Sequence, residues 1–188
     1  MMMTGRRARP LKPHLATRLR GVAFSYPEIG ETRQELPDGY HHVHREVVVG
    51  SGRRRFVEIA DAIATWQVQL GAGLRVDASS ETIEAGTVAR VGIGVGPLRL
   101  KAPVRVVYVI EEADRRGFAY GTLVGHPVSG EELFCVELRD NNTVVFVVTA
   151  FSRPRTRLAR MAGPVGRLGQ RAITARYLRA MRTWVLRT

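Results

Sequence analysis

Between residues 74 and 151 the sequence reads as one strand after another, and a single long amphipathic helix follows. LRVDA, TVARVGIGV, APVRVVYVIEE, GFAYGTLVG, EELFCVELR and TVVFVVTAF are apolar runs rich in β-branched and aromatic residues. Each is closed by glycine, proline or Asn/Asp, as strands in a meander are. Asp140-Asn141-Asn142 joins the last two with hairpin-turn chemistry. An alternating stretch at 40–50, YHHVHREVVVG, predicts a first strand. From Arg54 the period becomes helical: Phe56, Ile59, Ala60, Ile63, Trp66, Gln67 and Leu70 share a face, and Gly71 and Gly73 end the run. From about Pro164 to Leu186, Ile173, Tyr177, Ala180, Met181 and Trp184 form one stripe, and Arg167, Arg171, Arg176, Arg179 and Arg182 lie opposite.

That order predicts an α+β chain in which a curved antiparallel sheet of about six to seven strands wraps around the C-terminal helix, a helix-grip layout. A sheet curved around one helix leaves an apolar gap between them, a natural small-molecule pocket. The last strand is apolar on both faces, and so is 104–110, where Val104, Val106 and Tyr108 are expected on one side and Val107 and Val109 on the other. Strands buried on both faces need a second cover, here the N-terminal arm or a second copy of the chain in a homodimer.

The chain has 188 residues, enough for one domain with a proper core. Residues 1–21 are expected to be a basic, flexible arm and 22–188 a single domain. One cysteine, Cys135, excludes an internal disulfide framework and a cysteine zinc site. No apolar run is long enough to cross a bilayer as a helix, and no apolar segment follows the basic start, so a cytoplasmic protein is expected. Lysine and arginine total 29 against 17 acidic residues, a formal charge of +12. Such a field draws nucleic acid or anionic lipid. No zinc-finger spacing or RNA-binding aromatic signature accompanies the arginines, so nucleic acid is not expected. An anionic membrane surface could meet the arginine face between Arg153 and Arg187.

GFAYGTLVGHPVSGEELF (117–134) holds the residue types that bind and catalyse. His126 and Glu131 flank the loop 127–130, so they are expected to face each other on paired strands, where a carboxylate would raise the histidine's pKa and fix its tautomer. With Tyr120 they would orient a ligand, and Tyr108, Phe146, Tyr177 and Trp184 would supply apolar wall. His42 and His44 share a strand face and could begin a metal site with His126. No carboxylate pattern supports one, and neither a metal nor a cofactor is expected. Gly50-Ser51-Gly52 lies between strand and helix without the third glycine of a dinucleotide loop. Cys135 lacks a basic neighbour in its strand and is expected in the core.

YPEIGETR (26–33), LPDGYHHVHR (36–45), VGSG (49–52), FVEIADAIATW (56–66), VVYVIEEADRRGFAYGTLVGHPVSGEELF (106–134) and AFSRPRTRLARMAGPVGRLGQRAITARYL from 150 together resemble the domain of unknown function 1990 family of uncharacterised bacterial and plant-chloroplast proteins. The resemblance covers about 22–180 and marks Tyr120, Gly121, Gly125, His126, Pro127, Gly130 and Glu131 as motif-bearing. It implies a START-like or Bet v 1-like helix-grip fold and says little about activity. The function expected is a non-enzymatic module that binds a small hydrophobic or amphipathic molecule between sheet and helix. The alternatives are a hydrolase- or cyclase-type enzyme using His126 with Glu131 as acid/base, and an adaptor at an anionic membrane.

Overall fold

The computed structural model describes residues 6–93, 100–155 and 163–184. Gly94, Gly96 and the end of the expected arginine face at Arg187 lie outside the described residues. The elements run β1 (Arg9–Pro10), α1 (Pro13–Arg20), β2 (His41–Ser51), α2 (Gly52–Ala64), α3 (Gln67–Gly71), β3 (Arg75–Ala78), β4 (Val88–Ile93), β5 (Leu100–Glu111), β6 (Arg115–Thr122), β7 (Val128–Leu138), β8 (Thr143–Pro154) and α4 (Gly163–Trp184). Eight strands form one curved sheet in the order β1-β3-β4-β5-β6-β7-β8-β2. From β3 to β8 this is the expected meander of neighbours. β2 closes the far edge antiparallel to β8, and β1 adds to β3 in parallel.

Alternation along the strands divides the apolar residues between two faces. Val104, Val106, Phe118, Phe134, Val136, Val144, Phe146 and Val148 point inward and meet Phe56, Ile59 and Ile63 of α2 and Tyr177, Ala180 and Met181 of α4. Arg171, Arg176, Arg179 and Arg182 stay exposed on the far side of α4. The helix expected over 54–70 is two helices, because Trp66 adopts a left-handed conformation (φ 64°) between α2 and α3. The kink buries the indole completely, edge-on to Phe118 at 5.6 Å between ring centroids.

Outside the sheet, Tyr108, Ile110, Leu133, Cys135, Val145 and Val147 form a second apolar layer. Thr32 and Arg33 reach this layer at Tyr108, and the N-terminal segment covers a neighbouring part of the outer face. Residues 9–20 lie within the stretch expected to be a flexible arm, and they instead form β1 and α1, with Leu11, Ala16 and Leu19 packed against Val88 and Leu123. Further along, Phe24 and Tyr26 lie over Gly121, where an added Cβ would sit 2.0 Å from the Tyr26 hydroxyl. A glycine in mid-strand here is a landing place for another segment of chain.

Asn142, in the β7–β8 turn, has φ 65°. Asparagine tolerates this region where alanine does not. Asn142→Ala is expected to cost about 1 kcal/mol and Asn142→Gly essentially nothing, read as the shift in urea midpoint at unchanged m-value.

Candidate functional site

α4 seats unevenly on the sheet. At its C-terminal half, Tyr177, Ala180 and Met181 are buried, and Ala180 lies so close to Gly71 of α3 that a Cβ there would come within 2.9 Å of it. Further toward its N-terminus, where Gly169, Gln170 and Ile173 face the sheet, α4 stands off and leaves a cavity of about 330 Å³. Its walls are Val91 of β4, Leu100 and Val104 of β5, Tyr120 and Thr122 of β6, the turn His126–Val128, and Ala150–Ser152 of β8. The volume lies in the range of small-ligand pockets. Gln170 donates from Nε2 to the Ser152 Oγ at 2.8 Å and ties α4 to β8 at the cavity edge.

Among the described residues, Glu132 brings a half-buried carboxyl to this space from the sheet. It pairs in register with Tyr120, whose hydroxyl donates to Oε2 at 2.8 Å. Tyr177 faces the same pair from α4 and stacks edge-on to Phe134 at 5.1 Å. Burial pushes the Glu132 carboxyl up to about 7, partly offset by the Tyr120 hydrogen bond. Burial and the nearby Glu132 hold both tyrosine hydroxyls far above their ordinary range. The result is an apolar chamber with a tyrosine–carboxyl pair on its wall.

Glu131, the residue expected there, borders the cavity with its strand, but its carboxylate is on the other side of the sheet. It pairs with Gly121, and its carboxylate is taken by the segment crossing the outer face. Tyr26 Oη donates to Oε2 at 2.7 Å, the Gly30 amide to Oε2 at 2.8 Å, and the Thr32 amide to Oε1 at 3.2 Å, with the Thr32 hydroxyl also on Oε1. The expected His126–Glu131 pair is therefore not made. Consecutive residues of a strand face opposite ways, and a clasp for residues 26–32 has claimed Glu131. His126 does line the cavity. Its Nδ1 lies 2.8 Å from the Val128 carbonyl oxygen and 3.0 Å from the Val128 amide nitrogen. Burial lowers its pKa to about 4, so the ring is neutral at physiological pH.

Of the other expected wall residues, Tyr177 lines the cavity, and Tyr108, Phe146 and Trp184 do not. A β-bulge at Val107 shifts the β5–β6 register between Val106 and Tyr108, and a bulge flips every side chain beyond it. Tyr108 consequently lies outside, hydrogen-bonded to the Thr32 hydroxyl at 2.7 Å with the Arg33 guanidinium 3.7 Å above its ring. Phe146 is fully buried in the inner core, and Trp184 packs near the end of α4. His42 and His44 sit on the edge strand, with contacts at 2.8 Å to the Pro37 carbonyl and at 3.0 Å to the Thr149 hydroxyl. No group of three potential metal ligands occurs among the described residues. Cys135 is buried, and burial pushes its thiol up to about 12, an unreactive state.

Glu132 was missed because β7 is apolar on both faces, which leaves its parity open. The available signal was the step Glu132–Phe134–Val136, which places the second glutamate beside the aromatic residues of β6. Among the described residues, no helix is long and apolar enough to cross a membrane.

Known proteins share this architecture. The chain resembles Ara h 8.0201, with a TM-score of 0.55 at 14% identity over 80% of this chain and all of that one. A norcoclaurine synthase point mutant from Thalictrum flavum, in complex with a transition-state analogue, superposes with a TM-score of 0.52 at 14% identity, over 81% of this chain and 98% of that one. These likenesses support the helix-grip fold and leave activity open. The chain is 30% identical over 159 residues to UPF0548 protein At2g17695 of Arabidopsis thaliana, spanning 81% of this chain and 77% of that protein. Residues 25–180 match the family model "Domain of unknown function (DUF1990)", and the chain belongs to that family.

Proposed function

We propose that the chain is a binding module for a small hydrophobic or amphipathic molecule held between the sheet and the N-terminal half of α4. The observation that carries this reading is the cavity itself: about 330 Å³, with largely apolar walls and a few polar groups at defined positions. The space opens to the surface beside α4, whereas the same helix packs tightly further on, at Ala180 and Met181. The fold shared with a synthase solved around a transition-state analogue makes ligand occupancy of such a space a reasonable expectation. A catalytic role for His126 with Glu131 loses its support, because Glu131 faces the opposite side of the sheet.

Ala150 pairs with Glu132 and shares its face, at the cavity wall. The hydrophobic dye N-phenyl-1-naphthylamine is expected to brighten on binding the wild-type chain. Ala150→Phe, which fills the space, should remove the signal while the thermal midpoint stays within a few degrees. No dye binding by the wild type, or binding undiminished in a folded Ala150→Phe variant, would refute the reading.

A further inference from the structure

We propose that the molecule this cavity accepts carries a basic amine, which seats on the Glu132 carboxylate while its apolar body lies against Ile173, Tyr177 and Val104. This rests on the binding-module reading and narrows it to a ligand class.

The argument begins with two adjacent glutamates treated in opposite ways. Glu131 receives hydrogen bonds from Tyr26, Gly30 and Thr32, as a buried structural carboxylate requires. Glu132 receives one, from Tyr120 to Oε2. Among the described residues no other donor and no cation reaches it. Glu132 is half-buried on the cavity wall, and a carboxylate held among largely apolar groups with a single hydrogen bond is poorly stabilised there, where an apolar or amide side chain of similar size would serve the fold as well. The feature makes sense if the missing partner arrives with the ligand.

Charge points the same way. The chain carries a formal +12, yet the described lining of the cavity contains no lysine or arginine side chain. The arginines of α4 face outward. A carboxylate-bearing ligand would meet Glu132 with nothing to offset the repulsion. An ammonium would find a carboxylate oxygen for a charge-assisted hydrogen bond, with Tyr120 and Tyr177 as aromatic neighbours able to add cation–π attraction.

The groups facing Glu132 are Tyr120 from β6 and Tyr177 from α4, with His126 and Gln170 elsewhere on the wall. Both tyrosines are neutral at physiological pH, and His126 becomes charged only near pH 4. None of these facing groups changes charge between pH 5 and 8, whereas the Glu132 carboxyl, held near 7, does. An ammonium binds the ionised form. Its affinity should fall as pH drops below 7, by up to about tenfold per unit, and level off above it.

Three probes with one body separate the possibilities: 2-(1-naphthyl)ethylamine, 2-(1-naphthyl)ethanol and 1-naphthylacetic acid, each measured by displacement of N-phenyl-1-naphthylamine. At pH 7.5 the amine is expected to bind at least about tenfold more tightly than the alcohol, and the acid most weakly. Glu132→Gln should retain the dye and the alcohol and lose the preference for the amine. An alcohol or acid that binds the wild type as tightly as the amine would overturn the inference. So would a Glu132→Gln variant that keeps the preference. In either case dye binding would leave the broader reading standing, whereas absence of dye binding would remove both.

Discussion

Glu131→Ala is expected to lower the folding free energy by about 3–5 kcal/mol, the range for removing one side of a buried charged network. Glu131 is 2% exposed, and its two oxygens gather the Tyr26 hydroxyl, the Gly30 and Thr32 amides and the Thr32 hydroxyl. Truncation leaves these donors facing an apolar hole, since Tyr26 (4%) and Thr32 (4%) are buried with it. Glu131→Gln keeps the volume and one acceptor oxygen and should recover part of the loss. The damage should be local first: hydrogen exchange of amides 26–33 should accelerate more than that of β7 and β8. The carboxylate gathers four of the hydrogen bonds that tie this segment to the convex face, beside those of Ser25 to Thr122 and of Thr32 to Tyr108. Equilibrium urea unfolding measures the total, and a loss below 1 kcal/mol would show that the clasp contributes little. Glu132→Leu one residue away should behave in the opposite sense at pH 8, where it removes an under-paired carboxylate and is expected to be neutral or stabilising.

The contrast between these two glutamates also marks what could be read from the chain. The strand series 74–151 and the stripe Ile173–Tyr177–Ala180–Met181–Trp184 are periodic signals, and periodicity survives into structure because it decides which face is buried. The family resemblance rested on strings that the family model matches over 25–180. Parity was the harder matter. A strand apolar on both faces carries no alternation to fix it, so 131 and 132 could be exchanged without violating any local rule. The bulge at Val107 is equally silent: nothing in VRVVYVI says that one residue will be left out of register, yet it sends Tyr108 outside. The N-terminal helix Pro13–Arg20 lacks a side-chain N-cap, and its form depends on Leu11, Ala16 and Leu19 finding Val88 and Leu123, partners about 70 to 110 residues away. The cavity was legible only as a consequence of the layout. Its position under the N-terminal half of α4 follows from the Gly71–Ala180 contact that holds the other half down.

Glu132 and His126 line the same cavity and are expected to make opposite contributions to stability across nearly the same pH range. Glu132 rises from an ordinary 4.5 to about 7. Between those values the folded chain holds a proton that the unfolded chain has released, so its contribution is present at low pH and is lost as pH rises through the window. The size is about 3 kcal/mol. His126 falls from 6.5 to about 4. As pH drops through that interval the unfolded chain takes up a proton that the folded chain refuses, and a similar amount of stability is lost on acidification. In the wild type the two nearly cancel between about pH 4.5 and 6.5. Single substitutions should expose each slope. Glu132→Gln should be more stable than the wild type by up to about 3 kcal/mol at pH 8, with the advantage gone by pH 4.5. His126→Asn should show no gain at pH 7.5 and a growing one toward pH 4. The readout is the difference between each variant's stability curve and that of the wild type, measured by urea unfolding at half-unit pH steps, because the surface carboxylates common to both cancel in the subtraction. Difference curves that stay flat with pH would mean that neither group is held in the desolvated setting the cavity provides, and Glu132 would then have no need of a ligand cation.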